Sequence, residues 1–269
     1  PPWPEEAAVI HIEPAPESLA RNFSVTVGLA ADPKATLREL HAALSSRATE
    51  PFRAAAAARS NALARLKARE QRKFQARVRK GWDARPMTPA RLAAELKPAL
   101  PPEVVVVAEV NTGRADLVCT IPFERPGDYY GSRGGGIGQG LPGALGYRLA
   151  HPKRPLLAIS GDGSALYSIQ ALWTAARYRL PVVFAILNNR AYLIVKDNVG
   201  RYRDFFDVEG GRECPHLDLT GPEIDYAGLA RGFGVPAQRI EDPAELAPAV
   251  REGFASQGPY LLDVLVGAG

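Results

Sequence analysis

The chain has 269 residues, 46% hydrophobic and 23% charged, enough apolar sequence to bury a sizeable core in one or two domains. No uninterrupted apolar stretch reaches the roughly 20 residues of a membrane helix, and the opening PPWPEE is acidic and proline-rich, unlike a secretory leader. Cys119 and Cys214 are too few for a disulfide framework and point to a reducing, cytoplasmic setting. The net charge of +4 is unevenly spread.

Residues 1–45 read as a small βαβα piece. Ala8–Glu13 is a strand, Pro16–Asn22 a short helix, Val25–Leu29 a second strand, and Asp32 caps a helix to Leu44. Two strands and two helices bury too little surface to fold alone, so a preceding part of this domain is expected. Residues 46–86 are a linker of mostly helical composition. Between Arg53 and Lys80, ten Lys or Arg face Glu70 alone, a net +9 that leaves −5 for the rest. Such a stripe could touch nucleic acid or an acidic partner. With only Phe74 and Trp82 as nearby aromatics, a solvated helix between two domains is the preferred reading, without nucleic acid.

The main domain is read from Met87 to residue 269. Thr88 is an N-cap and Pro89 the first helical residue of a helix to Leu100. Val104–Val107 is a buried strand, and Glu109-Val110-Asn111-Thr112-Gly113 lies just beyond its carboxyl end. The glycine-rich stretch Gly131 to Gly138 contains Gly134, Gly135 and Gly136, a backbone surface against which a flat ring can lie. Gly138-Gln139-Gly140-Leu141-Pro142-Gly143 formally matches a dinucleotide fingerprint. It lacks the buried strand that must precede the first glycine, so nicotinamide binding is rejected.

Pro155–Ser160 is a short buried strand, and Gly161-Asp162-Gly163-Ser164 is the turn at its carboxyl end. Ser164 to Leu180 has helical spacing, and Pro181–Leu187 is a second apolar strand that ends at Asn188-Asn189. Strand, helix, strand of this length is a right-handed parallel unit. Asp162 and Asn189 therefore emerge at one sheet edge, where open α/β folds bind ligands. A carboxylate, an amide oxygen and a backbone carbonyl suit Mg²⁺, with water and ligand phosphates completing its octahedron. The glycines allow close approach to a phosphate, and the N–H groups that open the Ser164 helix face it.

Arg190–Asn198 starts the next helix, and Val199–Pro222 reads as a mobile lid, in which Cys214 and His216 are taken as incidental rather than metal-binding. Ile224–Phe233 is a helix, Ala237–Ile240 a strand, Asp242 the cap of a helix to Ser256, and Tyr260–Val266 a last strand. The fold class is α/β: a doubly wound, mostly parallel sheet of five or six strands with helices on both faces.

Gly161-Asp162-Gly163-Ser164, the residues to 187 and then Asn188-Asn189 resemble the cofactor motif of the thiamine-diphosphate-dependent decarboxylase and acetolactate synthase superfamily. The stretch SGDGSALYSIQALWTAARYRLPVVFAILNN is most similar to benzoylformate decarboxylases. The resemblance runs from about Leu92 to the C-terminus and more loosely over residues 1–45, which are similar to the end of that family's middle domain. It implies thiamine diphosphate and Mg²⁺, with Asp162, Asn189 and the Ala191 carbonyl as metal ligands. It implies diphosphate contacts from Gly161, Gly163, Ser164 and the backbone of Tyr192 and Leu193. For Asn111 and Thr112 a diphosphate contact and a plain polar turn stay equally open. The Gly135 carbonyl, next to Gly136, would accept from the cofactor's 4′-amino group, and Ile137 would wedge the cofactor into its bent shape.

By the same resemblance the reaction is decarboxylation of a 2-oxo acid, or carboligation through the enamine that follows. The catalytic glutamate belongs to a pyrimidine-binding domain that no segment here resembles. A longer polypeptide or a partner chain is expected to supply it, in a dimer or tetramer. Benzoylformate decarboxylase has a histidine where this chain has Met87-Thr88-Pro89, so its substrate side chain does not carry over. Arg133 and Lys196 are candidates for holding a substrate carboxylate. An acetolactate-synthase-like enzyme with FAD, or a non-catalytic cofactor-binding module, are the alternatives.

Overall fold

A computed structural model of the protein describes residues 2–132, 134–209 and 213–267. The chain divides into two compact units, residues 1–69 and 70–269, and the boundary falls inside one long helix.

The first unit holds β1 (Ile10–Ile12) and β2 (Val27–Leu29), which pair in parallel, joined by a single 3₁₀ turn at Pro16–Ser18. Both strands and the connecting helix are shorter than the sequence suggests. α1 (Pro33–Arg47) starts as expected, with the Asp32 carboxylate accepting from the Ala35 amide at 2.7 Å. α2 (Glu50–Lys80) then absorbs most of the basic stretch as one uninterrupted helix, with Pro51 tolerated in its first turn. Its last turns belong to the second unit, where Phe74 and Val78 are buried against Ala90.

The second unit is a six-stranded sheet in the order β4-β3-β5-β6-β8-β7, with every pairing parallel. In chain order its elements are α3 (Pro89–Leu96), β3 (Val105–Glu109), α4 (Arg114–Thr120), β4 (Tyr129–Gly131), α5 (Gly140–Ala150) and β5 (Leu156–Gly161). They continue with α6 (Asp162–Ala165), α7 (Ala171–Arg177), β6 (Val183–Asn188), α8 (Leu193–Phe206) and α9 (Tyr226–Gly232). β7 (Ala237–Ile240), α10 (Pro243–Ala255) and β8 (Tyr260–Leu265) complete the unit.

A parallel sheet covered on both faces needs strands that are apolar on both sides. Val106, Ala108, Leu157 and Ile159 pack with α3, α4 and α10 on one face, while their neighbours Val105, Val107, Leu156 and Ala158 pack with α5, α7 and α9 on the other. The chain leaves β3 towards the first face and leaves β5 towards the second. That divergence opens a crevice between two adjacent strand ends, the usual ligand position in such sheets.

Three local expectations need correction. The single helix over 164–180 is two pieces, because α6 stops at Ala165 and α7 begins only at Ala171. Between them three-residue bonds (Tyr167 to Ser164, Ser168 to Ala165, Leu172 to Ile169) wind the backbone more tightly and leave Ala165 and Leu172 both fully buried. The stretch read as a lid opens with helix, since α8 continues to Phe206 and ends at Asp207 in the left-handed region (φ 51°). The turn-rich stretch before Arg133 contains a sixth strand, β4, whose three residues pair with Val106, Val107 and Ala108.

Phe184, the second residue of β6, has no exposed surface. Phe184→Ala is expected to lower the unfolding free energy by about 3–5 kcal/mol in urea titration, through lost burial plus the cavity left behind.

Candidate cofactor site

Hydrogen bonding carries β5 to Gly161, and Asp162 enters α6 immediately. Its side chain is thus turned back over the sheet edge and is only 3% exposed. Oδ1 accepts from the Gly163 amide at 2.8 Å, while Oδ2 is buried with no hydrogen-bond partner among the described residues. Burial pushes the Asp162 carboxyl above its ordinary range, opposed by the backbone N–H groups of Gly163, Arg190, Ala191 and Asn189. The Arg190 and Ala191 amides bond to the side chains of Asn188 and Asn189, so they act on Asp162 through their dipoles.

The neighbouring strand supplies the second half. Gly161 pairs with Leu187, which sets Asn188-Asn189 beside Asp162. The two asparagines do different work. Asn188 is buried and donates to Asp263 Oδ1 at 3.0 Å, accepting from the Arg190 amide at 3.2 Å. Asn189 is half-buried, with Oδ1 accepting from the Ala191 amide at 3.0 Å and Nδ2 donating to Thr112 Oγ1 at 3.4 Å. That last bond brings the loop after β3 to the same edge, whereas Asn111 is exposed.

Arg190 takes a left-handed conformation (φ 60°), and the chain then runs antiparallel to residues 217–219. Tyr192 donates to the Leu217 carbonyl and Leu219 to the Arg190 carbonyl, both at 2.8 Å, which leaves the Ala191 carbonyl outside the pair's two bonds. The Tyr192 amide is therefore committed before α8 begins at Leu193. Its ring rests on Gly163, where an added Cβ would lie 2.5 Å from Cε1, so no larger residue fits that turn. An orphaned buried carboxylate oxygen, an amide oxygen and a carbonyl form a hard-oxygen set that fits Mg²⁺. Among the described residues no three His, Cys, Asp or Glu side chains cluster.

The glycine-rich loop joins β4 to α5. Gly134 and Gly135 have φ of +67° and +71°, and the space their missing Cβ atoms would fill is open. Ile137 is 48% exposed. Gly138 packs on Tyr167, just beyond α6. One residue of this neighbourhood escaped the sequence reading. Glu109, the last residue of β3, is 4% exposed, accepting from the Gly138 amide at 2.6 Å and the Gly140 amide at 2.5 Å. Its signal was present, because a carboxylate closing the buried run Val104–Ala108 must find donors. Those amides belong to the first two glycines of the dinucleotide-like match, Gly138 and Gly140.

Lys196 forms an ion pair with Asp218, Arg133 lies outside the described residues, and the Thr88 hydroxyl caps α3 by accepting from the Arg91 amide at 3.2 Å. His216 is exposed and Cys214 is a buried free thiol.

Residues 112–264, more than half of the chain, match the family model described as thiamine pyrophosphate enzyme, C-terminal TPP binding domain. The chain belongs to that family. Benzoylformate decarboxylase of Pseudomonas aeruginosa is 36% identical over 179 residues, which are 66% of this chain and 32% of that protein. Acetolactate synthase 1, chloroplastic, of Oryza sativa subsp. japonica is 28% identical over 97% of this chain and 39% of its own length. The crystal structure of benzoylformate decarboxylase from Polynucleobacter necessarius aligns with 99% of this chain and 45% of that one, at a TM-score of 0.73 and 22% identity, a likeness of fold. The chain thus spans between a third and a half of the length of these relatives.

Beside Asn188 in this thiamine pyrophosphate domain lies a second carboxylate with an unsatisfied oxygen. Asp263, fully buried on β8, uses Oδ1 for Asn188 and has no partner for Oδ2 among the described residues. Burial, only partly countered by Asn188 and Arg239, pushes its carboxyl up to about 6. A carboxyl raised in the folded state stabilises the fold below its unfolded value near 3.8, and that contribution is lost as pH rises through about 6. Asp263→Asn is therefore expected to raise the unfolding free energy by about 1–3 kcal/mol at pH 8 and by nothing at pH 3.5. Urea titrations at the two pH values check this.

Proposed function

We propose that this chain binds thiamine diphosphate through Mg²⁺ and serves a 2-oxo-acid decarboxylase or carboligase. The observation that supports it best is the buried Asp162 oxygen, without a hydrogen-bond partner among the described residues, beside Asn189 at the end of two adjacent parallel strands. Asp162 Oδ2, Asn189 Oδ1 and the Ala191 carbonyl would hold the metal, and Gly161, Gly163, Ser164, Thr112 and the start of α8 would surround the diphosphate. Gly135 and Gly136 would offer backbone to the aminopyrimidine ring, and Ile137 would support the bend between the two rings. When bound, the cofactor supplies the electron sink that lets CO₂ leave a 2-oxo acid. The protein's part is to orient it, neutralise its phosphates and keep water from its reactive carbon.

In this reading residues 1–45 are the end of a middle domain, 46–86 a basic helical linker and 87–269 the diphosphate-binding domain. The glutamate that activates the aminopyrimidine comes from a pyrimidine-binding domain outside this chain, in a longer polypeptide or a partner subunit, and the active form is an oligomer. The similarity to an acetolactate synthase across 97% of the chain favours one second reading, a carboligase that also carries FAD. Flavin absorbance of the purified complete protein separates the two.

Asp162→Ala is expected to abolish Mg²⁺-dependent binding of thiamine diphosphate in calorimetry. It is also expected to abolish CO₂ release from a panel of 2-oxo acids on the complete assembly. Retained affinity in the variant would refute the metal site, and binding without turnover on any 2-oxo acid would leave a binding module.

A further inference from the structure

The glycine shelf that would carry the aminopyrimidine ring has little packing beneath it. Residues 134–137 are exposed, and behind the loop lies a cavity of about 300 Å³ lined by Val107, Tyr130, Gly140, Gly143 and Tyr147 among others. What fastens the shelf is polar. Glu109 enters from the end of β3, with one carboxylate oxygen on the Gly138 amide and the other on the Gly140 amide. Gly138 is the last glycine of the shelf and Gly140 the first residue of α5, so one side chain fixes loop, helix and strand together. The fit leaves no slack, since a Cβ on Gly140 would lie 2.6 Å from Glu109 Cβ.

We propose that Glu109 is a positioning residue that sets where Gly135 and Ile137 stand relative to the metal edge. Only an acceptor with two equivalent oxygens can take both amides. A glutamine would turn an NH₂ group towards one N–H, and an aspartate would fall short of reaching both. The carboxylate also lies at the N-terminal end of α5, where the helix's free N–H groups favour a negative charge. The cofactor part of this proposal rests on the thiamine diphosphate reading above.

The two halves of the cofactor separate its consequences. Asp162 and Asn189 would hold the metal and diphosphate, whereas the shelf would meet the ring. Glu109→Gln is therefore expected to weaken thiamine diphosphate binding to the complete assembly by about tenfold or more, the loss typical of a charge-assisted hydrogen-bond pair. The affinity for inorganic pyrophosphate with Mg²⁺ should stay as in the unaltered protein. A general loosening of the domain would lower both affinities, and Asp162→Ala should lose both. Hydrogen exchange at the Gly138 and Gly140 amides should rise in Glu109→Gln, while the second half of α5 stays protected.

Unchanged exchange at those amides would overturn the anchoring. Faster exchange with unchanged thiamine diphosphate affinity, or equal loss of both ligands, would overturn the positioning role. If Glu109→Gln does not fold, Glu109→Asp takes its place, with the same selective pattern expected and the same outcomes decisive. Absence of thiamine diphosphate binding by the unaltered assembly would sink the cofactor reading instead, and the exchange data would still decide whether Glu109 anchors the loop.

Discussion

The middle strands of the six-stranded parallel sheet, β3, β5, β6 and β8, are buried on both faces, which crowds most polar chemistry towards their ends. That constraint governs the second unit. Along β3, β5 and β6 the strand interiors are apolar but for the buried Ser160, and Glu109, Asp162 and Asn189 stand at the ends of these three adjacent strands. Even there, a carboxylate set into the low-dielectric edge must be met by donors or by a cation. Glu109 is met by two amides, whereas Asp162 has one oxygen satisfied and one left over.

Those two carboxylates differ in how far the fold satisfies them. Glu109 has spent its acceptors within the fold, and with them the free amides of α5. Asp162 is surrounded by peptide dipoles that favour its charge, yet its second oxygen has no protein partner among the described residues. The asparagine pair shows the same division. Asn188 is turned inward to Asp263, while Asn189 stays at the edge and ties the β3 loop to it through Thr112.

Much of this was readable in advance. Apolar runs bounded by turn residues located β3, β5, β6, β7 and β8, and capping residues located α1, α3 and α10, because both signals are local and period-bound. Asp162 and Asn189 were legible because a strand-helix-strand unit of that length has one parallel, right-handed solution. β4 was not legible, because three residues among glycines and prolines have no period of their own and become a strand only by pairing with β3. The break between α6 and α7 was hidden for the opposite reason. Its apolar spacing is helical, and burial on both sides of the break overrides that spacing.

Sequence by itself determined the class of fold and the placing of Asp162 and Asn189 at one sheet edge, since each follows from residue type and spacing along one stretch of chain. Only the tertiary structure decided which oxygen is left without a partner, which asparagine faces inward, and that Glu109 holds the glycine loop from 29 residues away. Those are distances between segments remote in sequence, and they exist only once the strands have chosen their neighbours.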